Sequence, residues 1–311
     1  MSLPTSNLKL TQALSEFRKN TPGSMSDLAG ESASPTNVPN IPYKMSDLFG
    51  KQSIVEEVIR ISSNTSNWRL SNQGLSSSNA YDLTIIVEEN VIVSSTSTSS
   101  SALGINQTFA DNSNITLINY GTIVGRGGKG GYASTERVSS GCRALTTSGN
   151  NGGHGVYVSS DTPTHIDNNE RIGGGGGGGG AGAATLNNAR ENRICASGGG
   201  GGGYGDGGDT NPVGSDTTDL PGDNGGAFSG GSGYSGSRSA TIDKTTYTCS
   251  ASGGDGGGPG NSGNSGSAST DSGGSCNQSS SGGGSPGNSV QATSNASVTT
   301  SGSGYFGSVN T

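Results

Sequence analysis

The sequence predicts a mostly irregular and β chain, with a small α/β amino-terminal region followed by a bundle of packed polyglycine II helices that carries variable loops. Three observations lead there. Glycine supplies 59 of the 311 residues while only 27% are hydrophobic with glycine left out, below the roughly 40% that non-glycine apolar residues supply in an ordinary globular domain. The aliphatic residues are concentrated before residue 125, so hydrophobic burial cannot hold the remainder together. Beyond that point glycine tracts alternate with glycine-poor inserts of similar length as far as residue 287. A Gly/Ser linker has no use for such regularity, and a disordered chain would carry more charge, Pro or Gln.

The first region, residues 1–78, holds the helical signal. Leu8, Leu10, Leu14 and Phe17 fall near helical spacing, and Ser53 to Ile61 reads as a short amphipathic helix or a strand. "GSMSDLAGE" (23–31) and "YKMSDLFGK" (43–51) share Met-Ser-Asp-Leu-x-Gly, in which Ser caps a helical turn and Gly ends it. Each copy presents Met and Leu on one side of a turn too small to fold alone.

The second region, residues 79–124, is a small β region. Leu83 to Val87 and Val91 to Val93 flank Glu88-Glu89-Asn90 in a hairpin-like pattern, and Ile115 to Val124 has a turn signal between two β-branched runs. That run recurs. "TLINYGTIVG" (116–125) aligns with "HIDNNERIGG" (165–174), placing Asn119 over Asn168 and Ile123 over Ile172.

The third region, residues 125–311, is the glycine-rich one, with eight consecutive glycines in "RIGGGGGGGGAGAA" (171–184). Glycine can adopt a left-handed extended helix with three residues per turn and a rise of ~3.1 Å, so ten residues span roughly 31 Å. That helix makes no internal hydrogen bonds, and without side chains several can pack closely enough to satisfy one another's backbone groups. Ordering glycine costs more backbone entropy than ordering any other residue. Only a cooperative bundle, nucleated by the apolar strands before it, offsets that cost.

A formal net charge of −7 argues against nucleic acid as a partner. No stretch approaches the ~20 apolar residues that span a bilayer, and the start lacks a signal-peptide pattern, so neither membrane insertion nor signal-dependent secretion is expected. "GYGDGG" (203–208) follows a glycine run and opens no helix, which removes the dinucleotide reading; no cofactor is expected. "GDGGDTN" (205–211) lacks EF-hand spacing. With no CxxC or HxxxH, no metal is expected either, and His154 and His165 have no partner spacing that suggests a triad.

The inserts, 132–148, 183–197, 209–221, 237–252 and 267–281, carry the chemistry that glycine cannot. Candidate binding residues are Tyr132, Arg137 and Arg143 in the first, Arg190 and Arg193 in the second, Asp216 and Leu220 in the third, and Ile242, Lys244 and Tyr247 in the fourth. Tyr and Arg among Ser, Gly and Asn resemble an antibody paratope; solvated turns are the plainer reading. Cys142, Cys195, Cys249 and Cys276 fall in four different inserts. They can clamp the inserts as disulfides in an oxidising medium or stay as free thiols.

"PYKMSDLFGKQ" (42–52), "LTIIVEENVIV" (83–93), "ITLINYGTIVGRGGKGG" (115–131), "THIDNNERIGGGGGGGGAG" (164–182) and the alternation of tracts and inserts together resemble the receptor-recognising adhesin at the tip of the long tail fibres of T-even-type bacteriophages. The resemblance implies an amino-terminal module docked on the tip of a trimeric fibre, a sandwich of polyglycine helices, and loops that bind an outer-membrane protein or surface polysaccharide of the host. On that reading Met25, Leu28, Met45, Leu48, Phe49 and Trp68 are attachment candidates. The family's module is longer and tryptophan-rich, whereas Trp68 is the only Trp here, which leaves a different fibre or another tail component as alternative docking partners. The resemblance further implies a non-enzymatic virion protein, made and assembled in the host cytoplasm. Alternatives are a structural tail component without receptor binding, an ice-binding glycine-helix protein, and a polysaccharide-cleaving spike using Asp216 and Asp219, for which the β region is too small. Exchanging residues 183–197 with 237–252 is expected to preserve folding and to alter host adsorption.

Overall fold

A computed structural model describes residues 54–311 apart from 139–140, 187–191, 197, 202–203, 212–215, 243–244 and 271–275, and for strand residues beside those gaps the backbone alone. The doubled turn with Met25, Leu28, Met45, Leu48 and Phe49, like the spacing of Leu8 to Phe17, lies outside the described residues. So do Arg190 and Lys244. Among the described residues the helical content is one short 3-10 turn, Leu70–Gln73, and no helix is long and apolar enough to cross a membrane.

The framework is a three-faced parallel β-solenoid. Its first coil runs through β1 (Ile54–Ile61), β2 (Thr65–Ser66) and β3 (Trp68–Arg69); the second through β4 (Ala80–Val87), β5 (Ile92–Ser94) and β6 (Leu103–Ile105). The third comprises β7 (Asn114–Asn119) and β8 (Thr122–Val124), leaves the framework for β9 (Ala133–Val138) and β10 (Gly141–Thr146), and returns as β11 (Val156–Val158). The fourth comprises β12 (Thr164–Asn168) and β13 (Arg171–Gly173). It then makes a long excursion through β14 (Gly182–Leu186), β15 (Asn192–Ala196), β16 (Thr210–Asn211), β17 (Asp216–Leu220), β18 (Ser235–Ile242), β19 (Thr245–Ser252), β20 (Ser267–Thr270) and β21 (Cys276–Ser280), and returns as β22 (Val290–Ala292). The last coil is β23 (Val298–Gly302), β24 (Tyr305–Phe306) and β25 (Val309–Asn310). Each face is a five-stranded sheet: β1-β4-β7-β12-β23, β2-β5-β8-β13-β24 and β3-β6-β11-β22-β25.

Parallel register stacks like on like. Ile59, Ile85, Leu117 and Ile166 form one rung-to-rung column, Val93, Ile123 and Ile172 a second, and Leu103, Val156 and Val290 a third. These columns meet in one core in which Leu83, Ile85, Leu103, Leu117, Ile123 and Ile166 are fully buried. Full burial of each such side chain stabilises by roughly 1.5–3 kcal/mol.

Of the two readings of this stretch, the strand is realised over Ile54–Ile61. The hairpin expectation is not: β4 pairs with β1 and β7, and β5 with β2 and β8, on different faces. Alternation tells which side chains point inward and is silent about the partner. Glu88 to Asn90, with Asn90 at φ 63°, turns a corner instead of reversing the chain. The recurrence of 116–125 in 165–174 reflects successive coils, since Asn119 pairs Asn168 and Ile123 pairs Ile172. At that corner Asn119 Nδ2 donates to Asn168 Oδ1 at 2.7 Å and to the Gly121 and Arg171 carbonyls, while Asn168 Nδ2 donates to the Ser303 carbonyl. Both side chains are buried, and satisfied for that reason. The same sheets draw on residues before and after the glycine tracts, so the divisions at 78/79 and 124/125 do not separate sheets, and the β framework is longer than a small β region.

Between the solenoid and the inserts lie the glycine tracts. Every residue from Ile172 to Thr185 is buried, and the hydrogen bonds of this central tract repeat every third residue. The carbonyls of Gly173, Gly176 and Gly179 accept from Gly125, Gly128 and Gly131; those of Gly174, Gly177 and Gly180 from Gly260, Gly257 and Gly254; those of Gly175 and Gly178 from Gly287 and Gly284. Its own N–H groups reach Gly153, Asn150, Asn261, Asn264 and Gly199. Spacing is set by backbone contact. A Cβ at Gly176 would stand 1.9 Å from the Gly257 carbonyl oxygen, and one at Gly178 2.0 Å from that of Lys129. The first methyl in the run, that of Ala181, appears where the tract leaves the bundle and packs with Ala133, Ala144 and Ala183.

Candidate functional site

The inserts are ribbons instead of open loops. β9 and β10 form an antiparallel hairpin extended by β16; β14 is flanked by antiparallel β15 and β21, with β17 outside β15; β18, β19 and β20 form a third sheet. Their Thr residues suit strands. Ala184, Cys249 and Ala251 are buried together, with Leu220, Tyr247 and Ala268 packed against them. Small residues there let two of the sheets meet, and Ala133 and Ala144 bring the third against Ala181 and Ala183 at the end of the central tract.

The sequence-predicted site residues divide accordingly. Leu220 and Tyr247 are half-buried in that packing layer. Tyr132 is half-buried at the base of its hairpin, where its N–H donates to Thr147 Oγ1 at 2.8 Å. Arg143 is exposed and lies across the ribbon from Glu136, 3.6 Å away. Such exposed pairs contribute little to stability. Arg137 pairs Cys142, Arg193 lies between Thr185 and Thr217, Asp216 opens β17 opposite Asn192, and Ile242 ends β18 opposite Thr245; their side chains are outside the described ones. Trp68 is not with them. It sits in the first coil, partly buried against the solenoid core.

Cys249 is buried and disulfide-bonded, which removes the free-thiol alternative for it. Because the other three cysteines each lie in a different insert, its disulfide ties two inserts together. On the solenoid, Ser301 Oγ lies 3.1 Å from His165 Nε2 and donates to Asp167 Oδ1 at 3.0 Å, while His165 Nδ1 meets Thr299 Oγ1. The carboxylate holds the hydroxyl and not the imidazole, so these groups do not form a nucleophile relay. They are the polar outer side of stacked β12 and β23.

Sequence reasoning missed a second feature, where the central tract leaves the solenoid. The Arg171 guanidinium carbon stands 4.7 Å from the Phe228 ring centroid and 5.2 Å from that of Phe306. Its signal was Phe228 itself, a large apolar side chain inside the tract "GDNGGAFSGGSGYSG" (222–236).

The description "Phage tail fibre adhesin Gp38" belongs to a family model that matches residues 56–310. Among solved structures, the chain is similar to one from "Crystal structure of the gp37-gp38 adhesin tip complex of the bacteriophage S16 long tail fiber", with 22% identity, 96% of each chain covered and a TM-score of 0.54. No curated protein matches it.

Proposed function

Since the chain belongs to the phage tail fibre adhesin Gp38 family, we propose that it binds a host outer-membrane protein or surface glycan through the outer ends of its ribbons. The observation that carries this is the inserts' division of labour. The base of the first ribbon, through Ala133 and Ala144, is buried against Ala181 and Ala183 at the end of the central tract, whereas Arg143 farther along the same ribbon is exposed. Loops held on a rigid scaffold lose less entropy on binding. The three-residue hydrogen-bond period of the central tract supports polyglycine II helices as the rigid element, since that is the helix with three residues per turn.

The amino-terminal residues, with Met25, Leu28, Met45, Leu48 and Phe49, take the attachment role. The fibre partner is a protein of the kind that gp37 is in the S16 complex, and the site of action is the virion tail. The chain acts by binding without catalysis. Asp216 and Asp219 lie three residues apart on β17, an odd spacing along a strand, which argues against their serving as a carboxylate pair across one glycosidic bond. That argument replaces the expected lack of a long β scaffold, which the solenoid supplies.

The test is adsorption competition with the full chain. Segments 187–191 and 243–244 are replaced by Gly and Ser, leaving the ribbon bases in place. Wild type should bind host cells saturably and block infection, and the variant should melt at the same temperature yet fail to compete. A wild-type protein that is folded and does not bind any susceptible host would mark a structural tail component.

A further inference from the structure

Arg171 is out of pattern with the other basic side chains. Arg60, Arg126, Lys129 and Arg143 each face a carboxylate, and Arg69 donates to the carbonyls of Trp68 and Ser101. The Arg171 guanidinium instead lies over two aromatic rings, those of Phe228 and Phe306. These rings are 47% and 40% exposed, so both leave substantial apolar surface to water. The three side chains, with Gly258, Pro259 and Asn261, line an open cavity of about 270 Å³.

The walls are held by backbone. Phe306 is paired with Gly173 in the solenoid, and its carbonyl accepts the N–H of Gly174 at 3.0 Å. The Asn261 N–H donates to Gly258, and the Asn261 carbonyl accepts from Gly177 in the central tract. Phe228 sits in the turn closed by Gly226 N–H to the Ser229 carbonyl at 3.0 Å. Little reorganisation is needed for a ligand to enter.

We propose that this cavity binds a carboxylate-bearing sugar of the host surface. The planar guanidinium offers paired N–H donors that match a carboxylate bidentately, and the ring surface that the guanidinium leaves uncovered offers an apolar contact to the C–H side of a sugar ring. At about 270 Å³ the cavity falls just below the usual range of small-molecule pockets, room for a single sugar ring and not for a chain of them. A protein partner would need roughly 1,200–2,000 Å² of buried surface, for which this isolated cluster offers too little. The site lies where the bundle meets the solenoid, away from the ribbons. It rests on the adhesin reading for the source of the sugar, and its chemistry can be tested without cells.

The test uses full-length protein and methyl glucuronide, with methyl glucoside and glucose 6-phosphate as comparison ligands, followed by saturation-transfer NMR and titration. The glucuronide should bind at least about tenfold more tightly than the neutral glucoside, as a charge-assisted pair requires. Arg171→Gln should remove that preference, Arg171→Lys should recover only part of it, and Phe228→Ala should weaken both sugars, all with unchanged melting. Replacement of 187–191 and 243–244 should leave the preference intact. Equal binding of the neutral sugar, unchanged binding by Arg171→Gln, or no binding of the glucuronide by folded protein overturns the proposal. So does binding confined to the phosphate, or capture of a host protein in place of any sugar. Failure here with intact host adsorption refutes this site alone, whereas glucuronide binding without adsorption refutes the adhesin reading and leaves the site standing.

Discussion

At the scale of single residues, glycine positions that look alike in the sequence differ sharply in what they tolerate. A methyl at Gly178 would collide with one peptide group of the neighbouring tract, the Lys129 carbonyl and the Gly130 nitrogen, whereas one at Gly282 meets nothing within 4 Å. Gly178→Ala should therefore cost about 3 kcal/mol or more, and Gly282→Ala should stay within about 0.5 kcal/mol, as read from urea midpoints. Composition alone makes the two equivalent; only knowledge of the neighbouring tract separates them. His154 adds a pH dependence. Burial holds its imidazole below the ordinary value, and Nδ1 accepts the Asn288 N–H at 3.2 Å. The unfolded chain then binds more protons than the folded one as pH falls below about 6.5, so this contribution is complete above that pH and lost on acidification. Melting temperature should fall between about pH 7 and pH 5, and fall less in His154→Gln; equal slopes would refute the assignment.

Elements were legible to different degrees. The columns of Ile, Leu and Val were visible as alternation, and the alignment of Asn119 with Asn168 gave the coil register outright. What alternation could not carry was the topology, because a strand that turns a corner and one that reverses have the same in-and-out pattern. The ribbons were read as loops since their Ser and Thr content fits both turns and strands. That affects the exchange of 183–197 with 237–252. β14 is bonded on both edges and Ala184 packs on Cys249, so the structure now predicts that exchange of whole inserts disrupts the base layer, and that only the outer segments are interchangeable. The Cys249 disulfide belongs to the same layer. Reduction should destabilise the protein by about 2–4 kcal/mol, lowering the melting temperature in tris(carboxyethyl)phosphine; an unchanged melt would mean that the clamp is incidental. The surface pairs Arg126–Asp206 and Lys129–Asp209, at 2.8 and 2.6 Å, repeat at the three-residue period of the tracts they decorate. Alanine at Lys129 should cost less than about 1 kcal/mol.

On the scale of the whole molecule, the two excursions share one corner. Coil one crosses from the second to the third face at Asn67 and coil two in residues 95–102, while coils three and four cross through 125–155 and 174–289. Backbone bonds keep the rows in step on each side of the corner: Ser95 N–H to Val124, Gly125 to Gly173 and Gly174 to Phe306 where the chain leaves, Leu103 to Gly155, Val156 to Ser289 and Ser289 to Ser308 where it returns. A variant in which both excursions are replaced by copies of 95–102 should fold as a five-coil solenoid and lose host adsorption, which circular dichroism and cell binding would report; failure to fold would show that the bundle props up the coils. Heredity meets the same geometry. Two genetic crossovers, one on either side of codons 174–289, would transplant another lineage's longer excursion onto coils whose row-to-row bonds where the chain leaves and returns are made by backbone, so the side chains such recombinants must match lie farther in, at pairs such as Arg126–Asp206 and Lys129–Asp209 between the two excursions.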